Sequence, residues 1–174
     1  WSINANQSFR KSNVKGFYDQ IYLNTDETPS ELAELNQRLN NDSKNRITTA
    51  QTDASFIMSK IKARAEAGGK MILRNDEIST YSEARDTITN EYNADTLANF
   101  NYRYSEAIYS VYGVFGQELG KFKYQIGVRG EYAEQTPELI SSNLTYKNAY
   151  GNLFPSAHIK YDLDKISQFS LSYS

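Results

Sequence analysis

Apolar and polar residues alternate with a period of two over much of this 174-residue chain, and on each alternating segment one face carries no charge. Successive side chains of a β-strand point to opposite faces, so such a segment reads as a strand with one apolar side. From Phe122 to Tyr132 the even positions are apolar or glycine. In the stretch Ile61 to Leu73, Ile61, Ala63, Ala65, Ala67, Gly69, Met71 and Leu73 oppose Lys62, Arg64, Glu66 and Lys70. The same reading gives strands over Leu153 to Leu163, Phe169 to Tyr173, Ala107 to Phe115 and Trp1 to Arg10. A weaker one runs from Arg46 to Phe56, where Thr48, Ala50, Thr52, Ala54 and Phe56 make the uncharged face. The expectation is an all-β chain of about seven antiparallel, up-and-down strands.

The connections between these strands alternate in length. Three long polar stretches, near 11–45, 75–100 and 135–150, alternate with tight turns at Ser59-Lys60, Glu118 to Lys121 and Asp164 to Ile166. Successive hairpins therefore place the long loops at one end of the sheet and the short turns at the other. Within the first loop, Leu32, Leu35 and Leu39 behind a Thr-Pro-Ser start predict a short helix over 30–39.

Composition removes several chemistries. With no cysteine, disulfides and thiolate catalysis are excluded, and the single histidine, His158, cannot build a histidine-rich metal site. A formal net charge of -2 argues against a nucleic-acid partner held by a basic field. No run approaches the roughly 20 apolar residues of a membrane helix, and Trp1 to Arg10 lacks the order of a signal peptide. Strands that cross a membrane are untouched by that test.

An apolar face can pack on a second sheet, as in a soluble binding module, or meet lipid, as in a transmembrane barrel. Strand length favours the barrel, because several segments reach the 9 to 11 residues of a membrane-crossing strand. Loop asymmetry has the same sense. Aromatic residues also collect at the short-turn ends, where Trp1, Phe56, Phe115, Phe122, Tyr124, Tyr161 and Phe169 would form one interfacial girdle. Tyr102, Tyr104 and Tyr132 are expected in the other girdle. Arg64, Glu66, Lys70, Arg129, Glu131, His158 and Lys160 fall on the opposite parity and are expected to face a wet or protein-filled lumen. Seven strands do not close the usual even-numbered barrel, so the chain reads as part of a larger wall, or as a small barrel whose eighth strand lies within a long loop.

The segments Tyr109-Ser-Val-Tyr-Gly-Val-Phe-Gly-Gln-Glu-Leu-Gly-Lys-Phe-Lys-Tyr-Gln-Ile-Gly-Val-Arg-Gly-Glu-Tyr132, Asn152-Leu-Phe-Pro-Ser-Ala157 and Leu171-Ser-Tyr-Ser174 together resemble the barrel of TonB-dependent outer-membrane receptors of the Bacteroidota type. Residues 101–174 carry the resemblance, and the first hundred fit by architecture. It implies a barrel of about 22 strands in a Gram-negative outer membrane. A plug domain would fill that barrel, and a TonB-type energy-coupling protein would drive it. Its cargo would be a siderophore-iron complex, a cobalamin-like molecule, or an oligosaccharide or peptide nutrient. No plug domain or energy-coupling motif is legible here, and no cofactor is implied.

The remaining constellations are weak. On a strand His158 and Asp162 stand about 13 Å apart, too far for a hydrogen bond, so no catalytic residue is assigned. Gly68-Gly69-Lys70 lacks the spaced glycine of a phosphate loop and reads as strand packing. The carboxylates of Asp76, Glu77, Glu83, Asp86, Glu91 and Asp95 show no calcium-loop spacing and read as a solvated loop. Phe17, Tyr18, Tyr22, Tyr81 and Tyr92 are the candidate ligand-stacking residues of the long loops.

Overall fold

The computed structural model describes residues 1–28, 30, 35–96, 98–164 and 166–174. The strands are β1 (Ser2–Gln20), β2 (Leu35–Met58), β3 (Ala63–Arg85), β4 (Tyr92–Ala94), β5 (Phe100–Leu119), β6 (Phe122–Leu139), β7 (Leu144–Thr145), β8 (Asn148–Asp162) and β9 (Gln168–Tyr173). They form one antiparallel sheet in the order β1-β2-β3-β5-β6-β8-β9, with β4 added to β3 and β7 to β6. Each long strand pairs with its neighbour in sequence, which is the hairpin meander that the alternation predicts.

The strands outrun the segments that hydropathy marks. β1 continues ten residues past Arg10, and β2 begins at Leu35, so most of the stretch 11–45 is a paired ladder rather than a loop. The same holds for 75–85 and 135–139, and the connections shrink to 21–34, 86–99 and 140–147. Polar residues fill these extensions because both faces there are hydrophilic, which removes the period-two signal without removing the hydrogen bonds. The helix expected over 30–39 is not formed from Leu35 onward, where the backbone is strand, and residues 31–34 lie outside the described residues.

At the other end the turns are tight. Leu119 pairs with Phe122 across a two-residue turn, and Gly120 takes φ 63°, the left-handed conformation that the first central position of a type II′ hairpin requires. Between β2 and β3 a 3₁₀ turn spans Ser59–Ile61, so Ile61 belongs to the turn and not to the strand.

The sheet is a single layer. No large side chain among the described residues is fully buried, and Ala63, Ala133, Ser82 and Ser110 are the buried positions. The accessible surface is 13057 Å² for 19.9 kDa, against about 8,700 Å² for a compact globule of that mass. A soluble sandwich is thereby set aside, since nothing among the described residues covers the apolar face. The small closed barrel is set aside too. Its first and last strands would pair, whereas β1 and β9 are the two edges of the sheet.

Candidate functional site

Register decides which side chains share a face. Ala5 pairs with Ala50, Ala50 with Met71, Met71 with Tyr109, Tyr109 with Tyr132 and Tyr132 with Gly151. The separate uncharged faces thus merge into one apolar band across the sheet. Its members are exposed: Ile3, Val111, Leu153 and Leu171 each leave more than half of their surface open. At the turn end the band closes on aromatic rings. Phe115 and Tyr124 have centroids 6.2 Å apart, and Phe122 and Tyr124 6.1 Å. The register brings Tyr161 opposite Phe122 and Phe169 opposite Tyr161. Measured from Phe56 on β2, the perpendicular row passes through Ala65, Phe115 and Ile126 to Ala157 on β8, so Tyr161 lies four residues beyond it.

The loop-end girdle differs from expectation. Tyr132 lies in the band beside Tyr109. Tyr102 and Tyr104 point to the opposite face, because β5 places its even positions with the charged residues of β3. Tyr104 donates its hydroxyl to Glu106 at 3.0 Å. The parity of Ala107, extended backward along β5, would have located it there.

Arg64, Glu66, Lys70, Arg129, Glu131, His158 and Lys160 all share the face opposite the apolar band. Arg64 Nε lies 2.6 Å from Glu66 Oε1, and Arg129 pairs with Glu131, each two residues along its own strand. Lys160 Nζ and Lys123 Nζ approach Asp162 at 3.7 and 3.8 Å. His158 Nδ1 is 2.7 Å from Ser172 Oγ on β9, so its ring is engaged across the hairpin, away from Asp162.

Two polar nodes on this face escaped the sequence reading. Tyr112 donates to Asp53 Oδ1 at 2.6 Å, and Gln51 donates to the same carboxylate at 2.9 Å. The ring of Tyr112 crosses Gly68, where an added Cβ would meet Tyr112 Cε1 at 2.5 Å and the Thr52 carbonyl at 2.7 Å. Gly68 is thus a packing glycine, as its strand position suggests. Glu106 centres the second node: Tyr104 and Gln135 each donate at 3.0 Å, and Arg74 approaches at 3.5 Å. Beside the first node lies a hollow of about 380 Å³ to which Lys70, Ser110, Tyr112, Arg129 and Phe154 contribute. These groups make a wettable, charge-balanced wall.

The five aromatic residues expected in loops are dispersed. Phe17 and Tyr18 sit on β1 with opposite parity and Tyr81 on β3, whereas Tyr22 and Tyr92 lie in connections, Tyr92 on the short β4. Phe17 and Tyr81 help line a hollow of about 310 Å³ on the band's side of the sheet. The Arg38 guanidinium stacks 3.6 Å from the Tyr92 centroid. The loop carboxylates are scattered likewise: Asp76 and Glu77 point to opposite faces of β3, and among the described residues no group of three could hold a metal ion.

A lipid-wide apolar band backed by a charged wall is what an outer-membrane barrel requires, and the outer membrane protein beta-barrel family matches residues 1–174. The chain belongs to that family. This outer-membrane barrel assignment supports a non-enzymatic role. No curated protein matches the chain. Among solved structures it is similar to the unliganded ferric citrate transporter FecA, at 11% identity and a TM-score of 0.50, over 92% of this chain and 23% of that one. It is also similar to BauA, the ferric preacinetobactin receptor of Acinetobacter baumannii, at 12% identity and a TM-score of 0.49, over 94% and 26%. The chain thus spans about a quarter of the length of these proteins, and the likeness to the first is one of fold.

Proposed function

We propose that this barrel-family chain forms seven strands of the wall of a TonB-dependent nutrient receptor. The observation that carries the reading is the pairing of an exposed apolar band with a charged opposite face on one open sheet. Lipid covers the band, and the charged side, with Arg64, Glu66, Lys70, Arg129, Glu131, His158 and Lys160, faces the interior of the barrel. That arrangement places charge where it costs little, since Arg or Lys on the lipid side costs about 2 to 4 kcal/mol at the midplane.

The open edges on β1 and β9 receive further strands of the same barrel, about 22 in total by the resemblance. A plug domain lies against the charged wall, and an inner-membrane TonB-type protein supplies energy through it. The connections at 21–34, 86–99 and 140–147 face outward from the cell, as long loops do in bacterial barrels. Cargo is a siderophore-iron complex, a cobalamin-like molecule, or an oligosaccharide or peptide.

The test is solute uptake by cells with and without the protein. Loss of uptake of one labelled solute, reproduced when the membrane potential is collapsed, is the expected result. Unchanged uptake of every class would overturn the reading.

A further inference from the structure

On β1, β2 and β3 the ladder runs on past the apolar band, and the band's face there carries rings and charges in place of aliphatic residues. Phe17 stands eight residues beyond Phe9 on β1, and Tyr81 eight beyond Leu73 on β3. Eight residues are about 26 Å of strand, out of reach of acyl chains that cover the band. Both rings are exposed all the same, Phe17 at 73% and Tyr81 at 45%. They flank the hollow of about 310 Å³, to which Arg38 and Asn40 contribute from β2 between them. Arg38 lies directly opposite Glu83 in the ladder, where opposite charges ordinarily join. Among the described residues the two form no ion pair. The guanidinium is drawn over the Tyr92 ring, 3.6 Å from its centroid, and the carboxylate accepts the Tyr81 hydroxyl at 3.0 Å. Held apart in this way, a fixed set of N–H donors and a carboxylate acceptor stand side by side at the hollow.

We propose that this hollow binds a sugar ring, a pyranose with two neighbouring hydroxyls. The inference rests on the reading that the band meets lipid, which puts the hollow outside the barrel and above the membrane, on the face turned away from the lumen. Phe17 and Tyr81 rise from strands two spacings apart, about 10 Å. A ring in contact with each at about 4 Å fits between them. The C–H bonds on a pyranose face carry the partial positive charge that the negative face of an aromatic ring attracts. One hydroxyl donates to Glu83 and its neighbour accepts from Arg38, and both bonds are charge-assisted. A phosphate would meet the Glu83 carboxylate, and an aliphatic chain would leave both charges without a partner. The sugar satisfies rings and charges together.

The test presents the barrel protein that carries this chain, in a polyoxyethylene detergent whose head group holds no sugar, with three probes. They are maltohexaose, mannohexaose and the polysaccharide extracted from the surface of the cells that make the protein. The first two stand for a soluble sugar and the third for one borne on the same surface. Binding is read by saturation-transfer NMR during titration. At least one probe should bind, and Phe17→Ala, Tyr81→Ala and Arg38→Gln should each weaken it about tenfold. Tyr146→Ala, which removes an exposed ring from the connection 140–147, should leave it unchanged. Heat-dependent electrophoretic mobility reports whether each variant is folded, and Phe17→Ala, at an exposed position, serves alone if the others are not. No binding of any probe would overturn the site, as would equal binding by wild type and the three variants. Failure of the lipid-facing reading looks different, since Phe17→Cys would then escape a membrane-impermeant maleimide on intact cells.

Discussion

Gly68 has no side chain because the ring of Tyr112 occupies its space on the way to Asp53. The contact joins three strands, with Asp53 on β2, Gly68 on β3 and Tyr112 on β5, so one glycine sets how a tyrosine ties the wall together. Gly68→Ala should force the ring or the Thr52 carbonyl to move and cost about 1 to 3 kcal/mol, the range for overpacking, read as a lower urea midpoint for the folded barrel in lipid vesicles. A midpoint equal to wild type would show that the ring has another place to go. The sequence marks Gly68 as a glycine in a strand and no more, because the partner that needs the room is 44 positions away and is brought in by register. Residues paired at i and i+2 were more accessible to reading. Arg64 with Glu66 and Lys160 with Asp162 meet because a period of two stacks them on one face, a geometry legible before any fold is known.

At the scale of elements, the alternating segments located all seven long strands, while their loop-end extensions went unread. Hydropathy reports which medium a face meets. Where both faces are polar, as at Asn40, Asn41, Asp42 and Ser43 on β2, the alternation vanishes although the ladder continues. The connections that remain are held by local caps. Asp86 accepts the backbone N–H groups of Ile88 at 2.8 Å and Thr89 at 3.1 Å, and Asn90 closes the turn at φ 65°. Those two backbone donors hold the Asp86 carboxyl below its ordinary value of 3.8. The cap is therefore fully present above that ordinary value and is lost as pH falls through the lower one. Amide chemical shifts of Ile88 and Thr89 should stay flat from neutral pH to about 4 and then move together, with a midpoint below 3.8. In Asp86→Asn that step should be absent. A midpoint above 3.8 in the wild type would contradict the cap.

For the whole molecule, the surplus of exposed surface and the lack of any fully buried large side chain among the described residues mean that stability comes from the medium and from neighbouring strands. A substitution should therefore be judged by the face it lies on, more than by how deeply it is buried within the chain. Val111→Arg, in the band, should cost about 2 to 4 kcal/mol of folding stability in lipid vesicles, whereas Gln125→Arg on the charged face should change it by less than about 0.5 kcal/mol. Denaturant titration of the two variants compares them directly, and equal losses would contradict a lipid-covered band. The seven-strand order was readable from the sequence, but the number of strands that complete the wall lies in no residue of it. The stepped aromatic border carries a last geometric consequence. A displacement of four residues between β2 and β8 is about 13 Å along the chain over about 19 Å across four strand spacings. If that border marks a level plane, the strands lean from the vertical by about 35°, inside the range known for such walls. The 33 Å or so of backbone from Ala63 to Leu73 then stands only about 27 Å high, close to the 25 Å or so of oil it has to cross.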